Sequence, residues 1–254
     1  MKLSIIILTC NSKKWIEPCI KSLISTIGIY SKEWIVVDNG SNDGSQQLVR
    51  VLLPQAIIIQ NKKNLGVARA RNQGIESSTG EYVLLLDDDT EVLENTINAM
   101  CRFLDEHPRC GMVGPQLVNP DGSIQYNALE LPSVRVKIRR VLEKIFGKPP
   151  DNYYKEFIDT GKPFHPGYLL GACQLIRRDS ISSVGLLDEQ IFYGPEDADY
   201  CLRLKEHSYD VVCLPSVRVI HAYQKQSYRL NKIKLLWHHF KGLWYFWKKH
   251  RTLI

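Results

Sequence analysis

Short apolar runs alternate with amphipathic segments over the first 110 residues, and this alternation constrains the fold more than any other feature. Four runs with strand character lie at 3–8, 34–38, 56–60 and 82–86. The segments that follow them carry apolar residues every three or four positions, which is the spacing of a helix packed by one face. The pattern predicts an α/β fold with a mostly parallel sheet covered by helices on both faces.

The pattern becomes less regular after residue 110. Strands are predicted at 111–118 and 168–178, a helix at 194–209, and two final strands at 210–215 and 216–223. Residues 119–165 are rich in polar, proline and basic residues, with one helix predicted at 134–146. A long irregular insertion of this kind is typical of a functional loop or a mobile segment.

The number and spacing of the cysteines indicate the cellular compartment. There are seven, an odd number, and none forms a CxxC pair, which favours reduced thiols in a cytosolic protein over a disulfide framework or a zinc site. The apolar run at the amino terminus is short for a signal peptide, and no small-residue cleavage site follows it. No apolar run approaches the length of a bilayer span. We therefore expect the first run to be a strand of a cytosolic protein.

The carboxyl-terminal segment 225–254 is basic and aromatic. The chain has a net charge of +6, yet nine of its 33 Lys and Arg residues and none of its 27 acidic residues follow Asp210. In helical spacing, one face of this tail collects Leu230, Ile233, Leu236 or Trp237, Phe240, Leu243 or Trp244, and Trp247. This composition is typical of a helix that lies in a membrane interface. The alternative is a terminal helix packed on its own domain with solvated lysines.

Three consecutive aspartates, Asp87, Asp88 and Asp89, follow the fourth predicted strand directly. Like charges repel, and an unpaired buried carboxylate is costly, so a positive group is expected beside them. Ligands of α/β sheets bind outside the carboxyl ends of the strands, where Asp38 and the Thr9–Asn11 turn also fall. Mg²⁺ or Mn²⁺ takes carboxylate oxygens together with phosphate oxygens. The alternative is a solvated acidic loop.

A second acidic cluster, Glu196, Asp197 and Asp199, follows Gly194-Pro195. Acids at the start of a helix complement its dipole, which accounts for one or two of them. A rigid Gly-Pro turn also presents carboxylates, and one of them could act as a general base. His221, at the end of a strand, could complete a metal site as neutral imidazole or serve a structural role.

Other classes fit the motifs less well. A haloacid-dehalogenase-type phosphatase would carry DxDxT or DxDxV near the amino terminus, and a dinucleotide-binding protein would show GxGxxG after the first strand. A sugar-phosphate nucleotidyltransferase would carry a Gly-rich basic signature at 8–15, which reads LTCNSKKW. A non-catalytic nucleotide-sugar-binding protein would have lost the acidic motifs. A nucleic-acid binder could use the tail, but residues 1–210 are net acidic and the tail is Trp-rich.

Taken together, the motifs resemble the inverting family 2 glycosyltransferases with the GT-A fold. The blocks SIIILTCN, WIVVDNGSNDGS, NLGVARARNQGI, YVLLLDDDTEV, GACQLIRRDSISSVGLLDEQIFYGPEDADYCLRL and VRVIHAY match that family in order over about 3–224. The closest likeness is to the bacterial rhamnosyltransferase-like group that builds surface polysaccharides. The resemblance implies a GT-A domain over 1–224, with a nucleotide-binding half (1–110) and an acceptor-side half (111–224), followed by the membrane-associating tail.

The resemblance also implies site residues. Nucleotide-sugar binding is implied for Thr9, Cys10, Asn11, Asp38, Asn64, Gly66, Arg71, Asn72, Asp87 and Asp88. The metal, Mg²⁺ or Mn²⁺, would be held by Asp87, Asp89 and His221. Asp197 would be the catalytic base, with Glu196 beside it in the catalytic pair. The acceptor side would include Gly171, Ala172, Cys173 and Asp199. Cys10 stands where an aromatic residue often stacks on the base, so the identity of the base stays open.

The implied activity is inverting transfer from a UDP- or dTDP-sugar, dTDP-rhamnose among them, to a hydroxyl of a lipid-linked or polysaccharide acceptor in cell-surface glycan synthesis. We expect a peripheral protein on the inner face of the cell membrane, attached through the tail, that binds no nucleic acid.

Overall fold

The computed structural model describes residues 2–26, 31–147, 154–222 and 232–251. The strands are β1 (Lys2–Thr9), β2 (Ser31–Asp38), β3 (Ile57–Gln60), β4 (Tyr82–Asp87), β5 (Thr90–Val92), β6 (Cys110–Val118), β7 (Ile124–Gln125), β8 (Ala128–Leu129), β9 (Tyr168–Leu169), β10 (Cys173–Arg177) and β11 (Asp210–His221). The helices are α1 (Lys13–Thr26), α2 (Ser45–Leu52), α3 (Val67–Glu76), α4 (Thr96–Glu106), α5 (Val134–Ile145), α6 (Lys155–Thr160), α7 (Arg178–Val184), α8 (Glu196–Glu206) and α9 (Lys232–Lys249).

Within this part of the chain, one mixed sheet of nine strands forms the centre of the fold. Its order is β3-β2-β1-β4-β10-β6-β11-β5, and β7 pairs with β6 outside this path. The pairs β3/β2, β2/β1, β1/β4 and β6/β11 are parallel, while β10 runs antiparallel to both neighbours. A small second sheet pairs β8 with β9. The predicted α/β architecture with helices on both faces is confirmed.

Both faces of the central strands are buried. Along β1, Ile5 and Ile7 enter one hydrophobic core and Ile6 enters the other. Residues of α1, α2 and α4 pack in the first core, and residues of α3, α7 and α8 pack in the second. This arrangement explains why the strands read as continuous apolar runs, because each successive side chain meets a layer of helices.

The parallel register brings three strand ends to one edge of the sheet. Thr9 pairs with Asp38, and Leu8 pairs with Asp87, so β1, β2 and β4 end side by side. The prediction that these residues converge is therefore confirmed. The loops that carry the candidate site all leave the sheet from this edge.

Three predicted elements differ in detail. The two predicted last strands form one strand, β11, with a register shift between Leu214 and Arg218. The strand predicted at 168–178 is divided into β9 and β10 by a turn at Gly171. β5 was not predicted, because three residues are too few to show a periodicity.

Helix α9 packs on the domain by one face and exposes the other. Leu243 and Phe246 are buried, and the indole nitrogen of Trp247 donates to the carbonyl of Pro132 at 2.7 Å. The exposed face carries Leu236, Trp237, Phe240 and Trp244. The helix thus docks on its own domain, as one alternative drawn from the sequence predicts, while contact of its exposed aromatic face with a membrane stays a prediction. No helix in the described ranges is both long and apolar enough to cross a bilayer.

Candidate active site

The three consecutive aspartates have different partners. Asp87 pairs with the guanidinium of Arg71, with Nη2 and Oδ1 2.8 Å apart. Asp88 is buried and accepts from the backbone N–H of Cys10 at 3.3 Å. Burial, together with the charges of Asp89 and Asp87, raises the pKa of Asp88 well above its usual range. Three like charges are therefore tolerated because the middle carboxyl favours its neutral form and the outer two face positive or polar groups.

Asp89 meets His221 because the chain folds back directly after β4. Thr90 in β5 pairs with His221 in β11, and the N–H of Ala222 donates to the carbonyl of Asp89 at 2.9 Å. The Nε2 atom of His221 lies 3.3 Å from Oδ1 of Asp89. A strand of three residues thus brings two distant parts of the sequence into contact.

Asp87, Asp89 and His221 form a candidate cation site. One ligand atom from each lies within 4.8 Å of the others. Burial lowers the pKa of His221, but the hydrogen bond and charge of Asp89 and the charge of Asp87 more than offset this, so the pKa is raised. Two carboxylates suit Mg²⁺ or Mn²⁺, and the imidazole favours Mn²⁺ of the two. The donor set therefore fits the predicted ion.

Gln125 fixes the ring of His221. Its Oε1 lies 2.6 Å from Nδ1 of His221. Because an amide oxygen is an acceptor, it selects the ring form with a proton on Nδ1, which leaves Nε2 for a metal. Sequence reasoning missed Gln125, since it lies in the irregular segment 119–165, and a two-residue strand gives no periodic signal.

Arg71 links the metal-site end of β4 to the second acidic cluster. Its guanidinium is 3% exposed, and Nη1 lies 3.1 Å from Oδ1 of Asp197 while Nη2 contacts Asp87. Nη2 also donates to the carbonyl of Gly171 at 2.7 Å, and the N–H of Gly171 donates to Oδ2 of Asp197 at 2.8 Å. An added Cβ at Gly171 would lie 2.5 Å from Oδ1 of Asp197, so a larger residue here would displace the Arg71 and Asp197 side chains from these contacts. The predicted residues Arg71, Asp87, Gly171 and Asp197 are brought together.

The two carboxyls at the start of α8 differ in environment. Asp197 is 14% exposed, and burial raises its pKa while the positive charge of Arg71 opposes the rise. Glu196 is buried, and burial together with the charge of Asp197 raises its pKa to about 8. In the described structure its Oε2 has no hydrogen-bond partner. Near neutral pH, Glu196 is therefore mainly an uncharged acid beside a partly exposed Asp197.

The predicted nucleotide pocket lies at the ends of β1 and β2. Asp38 is buried and accepts from the N–H of Ser41 at 2.9 Å. Asn64 approaches Cys10, with Nδ2 3.8 Å from Sγ. The remaining predicted members in this region are Thr9, Asn11 and Gly66. The backbone N–H of Asn11 donates to Ser41 Oγ, Thr9 pairs with Asp38, and Gly66 has a positive φ of 89°.

A second residue missed from the sequence, Asn39, organises this pocket. It is 3% exposed, donates to Asn64 Oδ1 and to the carbonyl of Gly66 at 3.2 Å each, and accepts from the N–H of Leu65 at 2.9 Å. In the sequence, Asn39 opens the run NGSNDGS at 39–45, which predicts a polar, Gly-rich turn. Only its contacts with the distant segment 64–66 distinguish Asn39 from an ordinary turn residue.

Four predicted site residues do not face the pocket, and they are Asn72, Ala172, Cys173 and Asp199. Asn72 is buried, and its amide bonds to the backbone of Leu187 and to Glu189 rather than facing the pocket. Cys173 is 1% exposed in the hydrophobic core, and Ala172 beside it is also buried, with its carbonyl accepting from the N–H of Asp87 at 3.0 Å.

Asp199, predicted on the acceptor side, is fully buried between α8 and α9. It pairs with Arg203, Lys249 and His250 at 2.7–2.8 Å. It therefore anchors the terminal helix, because its charge is compensated by Lys249 of that helix and by Arg203 in its own next turn.

Comparisons with known proteins bear on the family of the chain. Residues 4–185 match the model of the family described as glycosyl transferase family 2. The chain is similar to the N-acetylglucosaminyl-diphospho-decaprenol L-rhamnosyltransferase of Mycobacterium tuberculosis, with 30% identity over 74% of this chain and 65% of that protein. It is also similar to the dTDP-rhamnosyl transferase RfbF of Shigella flexneri, with 23% identity over 79% of this chain and 63% of that protein. The chain thus spans slightly less than two thirds of the length of these relatives.

Among solved structures, the fold is similar to that of a mannosyltransferase of Pyrobaculum calidifontis in complex with GDP-Man and Mn²⁺. The TM-score is 0.61 at 19% sequence identity, covering 94% of this chain and 62% of that chain. This likeness confirms the predicted GT-A fold.

Proposed function

Because the chain belongs to glycosyl transferase family 2, in its rhamnosyltransferase-like group, we propose that it catalyses inverting transfer of a sugar from a nucleoside-diphosphate donor to an acceptor hydroxyl. The observation that carries the proposal is the bridge formed by Arg71. This single buried cation holds Asp87 of the candidate metal site and Asp197 of the acidic pair at 2.8 and 3.1 Å. One guanidinium therefore connects Asp87, proposed to act on the donor side, with Asp197, proposed to act on the acceptor.

The donor would lie over the ends of β1, β2 and β4. Asp38 would accept from the base, and Thr9, Cys10, Asn11, Asn64 and Gly66 would line the pocket around it. The likeness to rhamnosyltransferases supports a UDP- or dTDP-sugar, with dTDP-rhamnose the preferred candidate.

The donor diphosphate would be bound next to Asp87, Asp89 and His221. These residues would hold Mn²⁺ or Mg²⁺, which when bound offsets the negative charge that develops on a departing diphosphate. Gln125 would keep the Nε2 atom of His221 directed at the site. The backbone N–H of Gly171 and the guanidinium of Arg71 would keep Asp197 in place on the other side.

Asp197 would act as the base. It would accept the proton of the acceptor hydroxyl while the acceptor oxygen forms a bond to the anomeric carbon, and the bond from that carbon to the diphosphate oxygen would break on the opposite face. Inversion at the anomeric carbon follows from this single displacement. Partial burial raises the pKa of Asp197, which suits a group that must take up a proton.

We propose a lipid-linked or polysaccharide acceptor used at the inner face of the cell membrane. The name of the mycobacterial relative includes a diphospho-decaprenol, a lipid carrier. The exposed face of α9 supports contact with a bilayer, because Lys241 and Lys248 lie over the rings of Trp237 and Trp244 at 4.9 and 5.4 Å. Aromatic rings bordered by lysines suit the boundary between headgroups and acyl chains of anionic membranes.

Calorimetric titration of the protein with UDP, dTDP and GDP, with and without Mn²⁺, tests the donor site. We expect metal-dependent binding of one nucleotide, weakened at least tenfold in Asp89→Ala. Transfer assays with the matching sugar nucleotide then separate an enzyme from a protein that only binds nucleotide sugars. Nucleotide binding without transfer to any supplied acceptor would favour the non-catalytic alternative, and absence of binding by the folded protein would reject the proposed site.

A further inference from the structure

Helix α9 contacts the part of the chain that carries the candidate base. We call residues 188–199 the catalytic segment, because it leads into α8 and includes Asp197 in the first turn of that helix. On one side of the segment, the Asp197 carboxylate contacts Arg71 and the N–H of Gly171. On the other side, α9 meets the segment at both of its ends and near its middle.

Lys249 of α9 joins the two ends of the catalytic segment. Its Nζ atom lies 2.7 Å from Oδ2 of Asp188 and 2.7 Å from Oδ1 of Asp199. The hydroxyl of Tyr245, on the preceding turn of α9, donates to the same oxygen of Asp188 at 3.0 Å. Because the side chain of Asp188 is 14% exposed and that of Asp199 is fully buried, solvent screens these contacts less than it screens a surface ion pair. A single cation of α9 thus fixes where the segment begins and where it ends.

Gly242 lets α9 lie directly on the middle of the segment. A Cβ added at this position would lie 2.5 Å from the carbonyl oxygen of Gly194 and 3.3 Å from Cδ of Pro195. The carbonyl belongs to the backbone, so it has no side-chain rotation by which to avoid a methyl group. Glycine is also a poor helix former, so helix stability does not explain its presence. A larger residue would therefore move the backbone directly before Glu196 and Asp197 relative to α9.

Phe192 connects α9 with the predicted donor pocket. Its ring centroid lies 4.5 Å from that of His238 in α9. A Cβ added at Gly66 would lie 2.8 Å from the carbonyl oxygen of Phe192 and 3.0 Å from its Cδ2 atom. Gly66 directly precedes α3, the helix that carries Arg71. The catalytic segment therefore contacts both α9 and the start of α3.

We propose that α9 positions the carboxylate of Asp197 for catalysis, with Gly242 and Lys249 as the positioning residues. The inference rests on the proposed transferase function and gives the tail a role in the reaction in addition to membrane contact. A base acts only when its oxygen lies within hydrogen-bond reach of the hydroxyl that it deprotonates, and a displacement of about 1 Å can lower a rate about 100-fold. Contacts that fix the backbone on both sides of Asp197 therefore bear directly on kcat.

Gly242→Ala tests the contact with Gly194. The activity is measured as release of dTDP from dTDP-rhamnose with Mn²⁺, with water as the acceptor and without vesicles, so that membrane partition does not affect the rate. Asp197 takes up a proton of the attacking water in this reaction. Since the added methyl group displaces the segment, we expect kcat to fall by about tenfold or more. The affinity for dTDP should change less than about twofold, because the nucleotide pocket lies at the ends of β1, β2 and β4.

Hydrogen exchange of backbone amides gives a second readout that needs no activity. In Gly242→Ala, the amides of the catalytic segment should exchange faster than in the wild type, while those of β4 should keep their rates. Wild-type kcat and wild-type exchange in the folded variant would overturn the proposal. Faster exchange with wild-type kcat would also overturn it, because the contact would then serve packing alone.

Lys249→Met removes the cation that joins Asp188 with Asp199, and we expect kcat to fall by about tenfold. Lys249→Arg keeps a positive charge at this position and should retain more activity. Arg251→Met is the matched control, because Arg251 is an exposed cation shortly after the same helix, and it should leave kcat unchanged. An equal loss in Lys249→Met and Arg251→Met would indicate a general effect of charge and overturn the role of Lys249.

Urea unfolding distinguishes loss of folding from loss of positioning. Lys249→Met should lower the unfolding midpoint, since it leaves buried Asp199 with one cation fewer. The kcat values are therefore compared at a temperature at which circular dichroism shows each variant to be folded. If the wild-type protein releases no nucleotide from dTDP-rhamnose, the proposed donor fails, and the exchange rates alone decide whether α9 holds the catalytic segment. Unchanged exchange in Gly242→Ala would then overturn the proposal.

Discussion

The Nδ1 atom of His221 lies 2.6 Å from Oε1 of Gln125, so a residue from the irregular segment 119–165 sets the orientation of an imidazole at the candidate metal site. Gln125→Ala should lower the affinity for Mn²⁺ about tenfold, because the ring would lose the acceptor that fixes its tautomer. Electron paramagnetic resonance of free Mn²⁺ measures this directly. Gln125→Glu keeps an acceptor oxygen and should retain most of the affinity. Unchanged Mn²⁺ binding in Gln125→Ala would show that His221 needs no such partner.

Asp197→Asn should lower kcat of sugar transfer by a factor of about 100 to 10,000, since the amide cannot take up the acceptor proton. Binding of the donor nucleotide should change less than about twofold, because the base acts on the acceptor. Asp179→Asn, at an exposed aspartate of α7, is the matched control and should retain full activity. Substantial transfer by Asp197→Asn would assign the base to another residue.

Single substitutions can distinguish the role of the exposed face of α9 in membrane partition from the role of its packed face in stability. Phe240→Ser and Trp244→Ser should each weaken partition onto anionic vesicles several-fold or more with little change in the unfolding midpoint, because both rings are more than half exposed. Phe246→Ala should instead reduce stability by about 3 to 5 kcal/mol, since this ring is fully buried in the same helix. Vesicle sedimentation and urea unfolding measure the two effects. Loss of partition only in the Phe246 variant would argue against an interfacial role for the aromatic face.

Glu196→Gln should stabilise the protein in a pH-dependent way. The pKa of Glu196 is raised from 4.5 to about 8 in the fold, so the folded state keeps a proton that the unfolded state loses across this interval, and stability falls as the pH rises through it. The neutral amide avoids this loss. The gain over wild type should be near zero below pH about 4.5 and reach the order of 5 kcal/mol at pH about 9. Urea unfolding of both proteins at each pH is the measurement, and a gain independent of pH would contradict the assignment.

The sequence predicts the parallel half of the fold well, because β1, β2 and β4 are largely buried on both faces and read as apolar runs between amphipathic helices. The edge strand β3 is partly exposed but carries the same apolar run. The convergence of Thr9, Asp38 and Asp87 follows from parallel strands alone. The antiparallel insertion of β10 between β4 and β6 does not, since the order of strands depends on packing between segments distant in the sequence.

For the candidate site, too, the sequence predicts individual residues better than the contacts between distant segments. Asp197 and Arg71 were predicted as site residues from the resemblance, but their contact across 126 positions was not. Asp199 shows the opposite error. It lies in the first turn of α8, so the sequence groups it with Glu196 and Asp197 as a residue of the site. In the structure it is buried because it pairs with Lys249 and His250.

Helix α9 also touches the segment that leads into the catalytic pair. The ring of Phe192 lies 4.5 Å from that of His238, and an added Cβ at Gly242 would lie 2.5 Å from the carbonyl of Gly194. The same helix carries the aromatic face proposed to enter the bilayer. Removing the whole tail would therefore uncover the surface that Phe246 packs against and leave Asp199 without Lys249 and His250, so a truncated chain reports on folding as well as on membrane binding.

If the exposed face of α9 enters a bilayer as proposed, the acceptor concentration that sets the reaction rate is a surface density. A catalytic centre held at a fixed height above a bilayer meets a lipid-linked acceptor by lateral diffusion, so the relevant acceptor density is molecules per unit of membrane area rather than per unit of volume. In mixed micelles, adding inert detergent at constant total acceptor should then slow transfer by surface dilution, whereas adding buffer at a constant ratio of acceptor to detergent should slow it far less.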